Sequence, residues 1–186
     1  NKYLFCTVSR LSKEKNLHFF IDGLLELKNK IGDCFNTVVI GDGPLKKELE
    51  ERVQRLGLHN NVTFIGKVDN KKIKEYYGAC DLFLFSSKSE TQGIVLLEAM
   101  ASKLPVVAVK ASGVMDVVEN GVNGYMTTGN EEDWANRIWD IIMNNNLRLK
   151  LKDGAFRTSK EYSDSKIAKL ALHYYEEVIL ECYRRG

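Results

Sequence analysis

Two glutamates bracket the start of one segment of this sequence, and their spacing limits the chemistry open to them. The segment is Ser86-Ser87-Lys88-Ser89-Glu90-Thr91-Gln92-Gly93-Ile94-Val95-Leu96-Leu97-Glu98-Ala99-Met100-Ala101. It follows a run of apolar residues, crosses a polar loop and is expected to enter a helix near Gly93. A helix N-terminus carries unpaired backbone N–H groups and partial positive charge, which makes it a seat for a phosphate. Glu90 lies just before that seat, and Glu98 is expected about two turns inside the helix.

Paired carboxylates suggest glycoside hydrolysis, where the two groups stand roughly 5 to 9.5 Å apart across a sugar. Eight helical residues would separate the backbones by about 12 Å, which argues against a hydrolytic dyad. The better reading gives each carboxylate hydroxyls from a different part of one long ligand, with phosphates between them at the helix start. Sugar, diphosphate and ribose in a row describe a nucleotide sugar.

The wording around the pair adds specificity. Ser-Glu-Thr-Gln-Gly-Ile-Val-Leu-Leu-Glu-Ala-Met-Ala, then Leu104-Pro105-Val106-Val107-Ala108, resembles glycosyltransferase family 4, the retaining transferases of GT-B fold. The resemblance runs from about Val8 to Tyr125 and implies the C-terminal, donor-binding half of such an enzyme. An N-terminal acceptor domain would then lie outside this chain, which runs almost at once into a strand. The fragment alone is expected to be inactive.

The resemblance also distributes roles. Arg10-Leu11-Ser12-Lys13-Glu14-Lys15-Asn16 is similar to a first-loop motif whose arginine and lysine face the donor diphosphate. On that match Arg10 and Lys15 are the pair, and Lys13 points away. Such cations suit the chemistry, because breaking a sugar–phosphate bond builds negative charge on the departing diphosphate. Glu98 matches the glutamate that binds the ribose diol, and Glu90 the one that meets hydroxyls of the donor sugar. Amides at Gly93, Ile94 and Val95 should reach the sugar or phosphates, and groups near Val68 should receive the base edge. Gly41 and Gly43 either line the same cleft or serve a turn and a helix start; the sequence leaves both open.

Several features carry no such role. His18, His59 and His173 match no motif for a base or ligand, and Lys46, Lys47, Lys71, Lys72 and Lys74 read as solvated helix faces. Gly41-Asp42-Gly43-Pro44-Leu45-Lys46 lacks the third glycine of a dinucleotide fingerprint, so NAD is not supported. No Asp-x-Asp occurs, so a metal-independent reaction with no cofactor beyond the donor is expected. The sequence departs from the family pattern at Ser9 and Lys103, where glycine is common, and at Met115, where proline is. Ser9 would narrow the phosphate pocket, and Lys103, just past a helix end, would carry backbone strain.

The 186 residues suit one domain, and 44% hydrophobic content indicates an ordered fold. A net charge of +2 is too mild to argue for nucleic acid. Cys6, Cys34, Cys80 and Cys182 are scattered and form no CxxC pair, as in reduced cytosolic chains. On that reading the acceptor sequence at Asn61-Val62-Thr63 has no glycosylation role. A cytoplasmic location is expected, at the inner membrane face if the acceptor domain makes peripheral contact with lipid.

Apolar runs at 3–8, 37–40, 62–65, 82–85 and 106–109 read as buried strands, with a shorter one near Tyr125-Met126. They alternate with helical patterns, one of them expected near 116–119. Asn16 is expected to cap a helix with Leu17, Phe20, Ile21, Leu24, Leu25 and Ile31 on its apolar face. Strands apolar throughout and alternating with helices indicate a doubly wound α/β domain with a parallel, Rossmann-like sheet. Beyond Thr128 the chain turns helical, with Trp134, Ile138, Ile141 and Ile142 on one face. A last stripe from Ile167 to Cys182 predicts a long helix over 163–184, which in the family crosses toward the other half of the enzyme.

The favoured function is transfer of a hexosyl group from a nucleoside-diphosphate sugar to a lipid or glycan acceptor. Glu-Thr-Gln-Gly is similar to the wording of bacterial glucosyltransferases acting on diacylglycerol, which favours UDP-glucose and a lipid. A UDP-sugar epimerase and a non-catalytic nucleotide-sugar-binding module are the rival readings.

Overall fold

The computed structural model describes residues 2–162; the stripe from Ile167 to Cys182 lies outside them, as do His173 and the expected helix over 163–184. Six strands among the described residues form one all-parallel sheet: β1 (Tyr3–Val8), β2 (Phe35–Ile40), β3 (Val62–Gly66), β4 (Leu82–Phe85), β5 (Val106–Val109) and β6 (Gly124–Thr127). Their spatial order is β3-β2-β1-β4-β5-β6. Among the described residues seven helices cover it: α1 (Leu17–Ile31), α2 (Lys46–Arg55), α3 (Asn70–Ala79), α4 (Ile94–Ala101), α5 (Ser112–Met115), α6 (Glu131–Met143) and α7 (Asn145–Glu161). This is the doubly wound, Rossmann-like domain expected from the sequence.

The strands sort their side chains by the period of two that a pleated sheet imposes. Phe5, Leu82, Leu84, Val107 and Val109 face a core shared with α1, α2 and α6. Cys6, Phe83, Phe85, Val106 and Ala108 face the other core, closed by α3, α4 and α5. Burial on both faces explains why β4 and β5 read as continuous apolar runs, whereas the edge strand β3 carries an exposed Thr63. The first core is centred on Trp134, whose ring meets Phe19 and Phe20 edge-on and lies where a side chain on Gly23 would collide.

Local signals account for most boundaries. Asp69, Asn130 and Asn144 cap α3, α6 and α7, each accepting a hydrogen bond from a first-turn N–H. Helix α4 closes with Lys103 N–H donating to Met100 and Leu104 N–H to Ala99, the paired bonds of a Schellman end. That end puts Lys103 at φ 62, the strained left-handed conformation its position suggested.

Other expectations need correction. Asn16 precedes α1 but makes no side-chain cap; it sits at φ 54, closing a 3-10 turn at Lys13–Lys15. The polar loop before it is anchored by Leu11, which is fully buried. On α1, Leu25 and Ile31 are only half-buried, whereas Phe19 and Leu27 are buried, because the helix packs against α2 and α6 as well as the sheet. Strand β2 begins at Phe35, two residues earlier than its β-branched run implied. The short helix expected near 116–119 forms at Ser112–Met115, where Gly113 allows close approach to Thr91 and Gln92. Glu98 lies a little over one turn inside α4, since that helix starts only at Ile94.

Candidate functional site

The order of strands reverses its direction of growth between β1 and β4. Connections from neighbouring strands then leave for opposite faces, and a crevice opens beyond their carboxyl ends. The loops that follow these two strands hold both basic candidates and Glu90. Strand β4 delivers Ser86 and Ser87, both buried, into contact with the β1 loop. The Ser86 hydroxyl donates to the Lys15 carbonyl at 2.8 Å, and the Ser87 hydroxyl to the Glu14 carbonyl at 3.2 Å.

Above these serines Lys15 Nζ stands 3.7 Å from Glu90 Oε2, with the two side chains 22% and 16% exposed. Glu90 Oε1 accepts the Gly93 N–H at 3.1 Å and, more loosely, that of Gln92 at 3.5 Å. Glu90 thus rests on the helix start that its neighbours were expected to offer to a ligand. Gly93 takes φ 64 as it enters α4, and a Cβ there would lie 2.7 Å from the Gly113 carbonyl oxygen. Among the described residues the N–H groups of Ile94 and Val95 have no acceptor. A third support comes from α5, where the Gly113 N–H donates to the Glu90 carbonyl at 2.8 Å.

The β1 loop is also tied to the β2 loop. Leu11 N–H donates to the Asp42 carbonyl at 2.9 Å, and Leu45 N–H returns to the Leu11 carbonyl at 3.1 Å. A Cβ on Gly41 would lie 1.9 Å from the Ser9 carbonyl oxygen, and one on Gly43 would lie 2.4 Å from that of Leu11. Crossing backbones therefore require both glycines. Gly43 also lines a cavity of about 580 Å³ at the ends of β1, β2 and β3, together with Ser9, Arg10, Asp42, Lys67 and Val68. Arg10 is exposed at its rim.

A second cavity, about 370 Å³, is lined by Glu98, Tyr77, Lys74 and Ser102, and shares Asn70 and Ile73 with the first. Arg10, Gly43 and Val68 thus share one cavity, and Glu98 borders the adjoining one. Lys15, Glu90 and Gly93 form a cluster at the α4 start. Ile94 and Val95 occupy the first turn of α4 without lining either cavity. Of the residues read as bland, Lys71, Lys72 and Lys74 are exposed on α3, while His18 Nε2 lies 3.0 Å from Glu48.

Local electrostatics follow the loop geometry. The Ser12 hydroxyl donates to Glu14 at 2.5 Å and holds that carboxyl below its ordinary range, with Lys15 and Arg10 adding smaller pulls. Burial, then the neighbouring Glu98 charge, pushes the Tyr77 phenol well above its ordinary value, so it stays protonated. Contact with Cys80, then burial, raises the Cys6 thiol, and both are free thiols inside the core. The described residues contain no group of three or more His, Cys, Asp or Glu placed to hold a metal ion, and no helix long and apolar enough to cross a membrane.

Sequence reasoning passed over Ser86, Ser87, Tyr77 and Gly113. The serines had a signal: hydroxyls immediately after an apolar parallel strand lie at the carboxyl edge where ligands bind. Tyr77 and Gly113 act through tertiary contacts that no local pattern announces.

Residues 1–158 match the family model for glycosyl transferases group 1. The chain belongs to that family. This group 1 glycosyl transferase sequence is 29% identical over 96% of its length to an alpha-monoglucosyldiacylglycerol synthase of Acholeplasma laidlawii, covering 44% of that protein. It is 33% identical over 74% of its length to the enzyme of the same name from Streptococcus pneumoniae, covering 31% of it. Among solved structures, Anabaena Alr3699/HepE in complex with UDP superposes with a TM-score of 0.84 at 32% identity, over 95% of this chain and 49% of that one. The chain thus spans less than half the length of these relatives, and the fold is one half of the GT-B architecture.

Proposed function

We propose that this chain is the donor-binding half of a retaining glycosyltransferase, moving a hexosyl group from UDP-glucose to a lipid acceptor. The observation that carries the reading is the convergence at the β1–β4 crevice of Lys15, Glu90 and the free N–H groups of α4, beside linked cavities bordered by Arg10 and Glu98. In this arrangement the uracil rests near Val68 and Gly43, and the ribose diol donates to Glu98. The diphosphate lies between Arg10, Lys15 and the N–H groups of Ile94 and Val95.

Transfer exchanges the C1–O bond to phosphate for a C1–O bond to the acceptor oxygen, whose proton passes to the departing diphosphate, and releases UDP. Charge accumulates on the diphosphate as the first bond breaks, and the two cations presented by the β1 loop stabilise it there. Glu90 leaves the Gly93 N–H and orients the sugar through its hydroxyls. The diacylglycerol-glucosylating relative and the UDP-bound neighbour support the choice of acceptor and donor. Relatives named as synthases support transfer over epimerisation or simple binding.

Calorimetry of UDP binding to this chain tests the assignment. Arg10→Ala and Glu98→Ala should each weaken binding at least tenfold, about 1.4 kcal/mol. Unchanged affinity in both variants would overturn the site.

A further inference from the structure

Glu98 is exposed on α4, and an exposed glutamate ordinarily samples many rotamers. One feature restrains it. Tyr77, two turns into α3, is buried to 2% exposure with its ring edge-on against Phe83 at 5.8 Å. Its hydroxyl donates to Glu98 Oε2 at 3.4 Å, and among the described residues this is the only hydrogen bond to that carboxylate. A buried phenol hydroxyl without an acceptor is costly, so the bond ties Glu98 to the immobile ring beneath it. Both side chains line the same cavity.

We infer that Tyr77 is a positioning residue: its hydroxyl holds the Glu98 carboxylate in the one orientation that accepts both hydroxyls of a ribose diol. The inference rests on the proposed role of Glu98 and deepens it. Glu98 keeps a free oxygen, Oε1, and further lone pairs on Oε2, so the diol finds a carboxylate already turned toward it. Without the phenol, the carboxylate must be ordered at the moment of binding, which lowers affinity. The ring itself carries packing that a phenylalanine supplies equally well.

The test compares UDP with 2′,3′-dideoxy-UDP, by calorimetry, on this chain and its Tyr77→Phe, Glu98→Ala and doubly substituted forms. Tyr77→Phe should weaken UDP binding about fivefold and leave the dideoxy ligand unchanged. The double variant should bind UDP no more weakly than Glu98→Ala alone. A Tyr77→Phe effect equal for both ligands, or additive with Glu98→Ala, would mean lost packing and would overturn the inference. So would an unchanged UDP affinity. If Glu98→Ala itself fails to reduce the preference for UDP over the dideoxy ligand, the ribose assignment falls, independently of Tyr77. Circular dichroism melts of each variant separate any loss of fold from loss of affinity.

Discussion

Single side chains in the β1 loop do structural and electrostatic work at once. Ser12 is buried and spends its hydroxyl on Glu14, while Glu14 offers its carbonyl to Ser87 across the crevice. The loop that presents Arg10 and Lys15 is therefore partly shaped by an acid–hydroxyl bond. Because the folded-state value of Glu14 is depressed, its contribution is present above the unfolded carboxylate value. It is lost as pH falls through the folded one. Carboxyl titration followed by carbon-13 NMR should put Glu14 below the ordinary glutamate range and return it toward that range in Ser12→Ala. A Glu14 value that ignores the substitution would show that the hydroxyl is not the cause. The motif singles out Arg10 and Lys15 as candidates on this loop, but Ser12 and its bond had no such signal, because a serine beside a glutamate is too common to indicate anything.

Elements meet at this site by direct contact of backbones, and glycine marks the contacts. The four-residue α5 presses Gly113 against the loop leading into α4, where an added Cβ would lie 2.6 Å from the Thr91 carbonyl carbon and 2.7 Å from the Gln92 nitrogen. Neither neighbour is a flexible side-chain end. Gly113→Ala should therefore cost about 1 to 3 kcal/mol by overpacking and shift the loop that carries Glu90, weakening UDP binding as well. Gly78 provides the contrast: it lies inside α3 with nothing within 4 Å of a Cβ. Gly78→Ala should stabilise the protein by about 0.5 to 1 kcal/mol through helix propensity. Urea melts check both, and the pair would fail if the two substitutions acted alike. The sequence located β4 at its ends because four apolar residues stand between Asp81 and Ser86. It misplaced α5 because that turn is set by Gly113 meeting Thr91 and Gln92, far back along the chain, and period and propensity do not record such a contact.

At the scale of the whole molecule, the parallel sheet was legible because its central strands β4 and β5 are buried on both faces and announce themselves as unbroken apolar runs. What joins the strands into a site was less so. The reversal between β1 and β4 brings together loops some seventy residues apart, and only the motif resemblance anticipated it. The chain retains both sides of the proposed donor crevice, so donor binding should not depend on a second domain, whereas transfer should. A ligand that binds only the folded state at a hundred times its Kd stabilises by about 2.7 kcal/mol. For a chain of this size each kcal/mol raises Tm by roughly 2 to 4 °C. Saturating UDP should therefore raise the Tm of this chain by roughly 5 to 11 °C, with release of free UDP from UDP-glucose absent in the presence of diacylglycerol vesicles. The shift should vanish when Arg10 and Lys15 are both replaced by alanine. If UDP leaves the melting curve of the unaltered chain unmoved, the crevice between β1 and β4 does not bind the donor by itself. If the shift survives the loss of both cations, the diphosphate is held elsewhere.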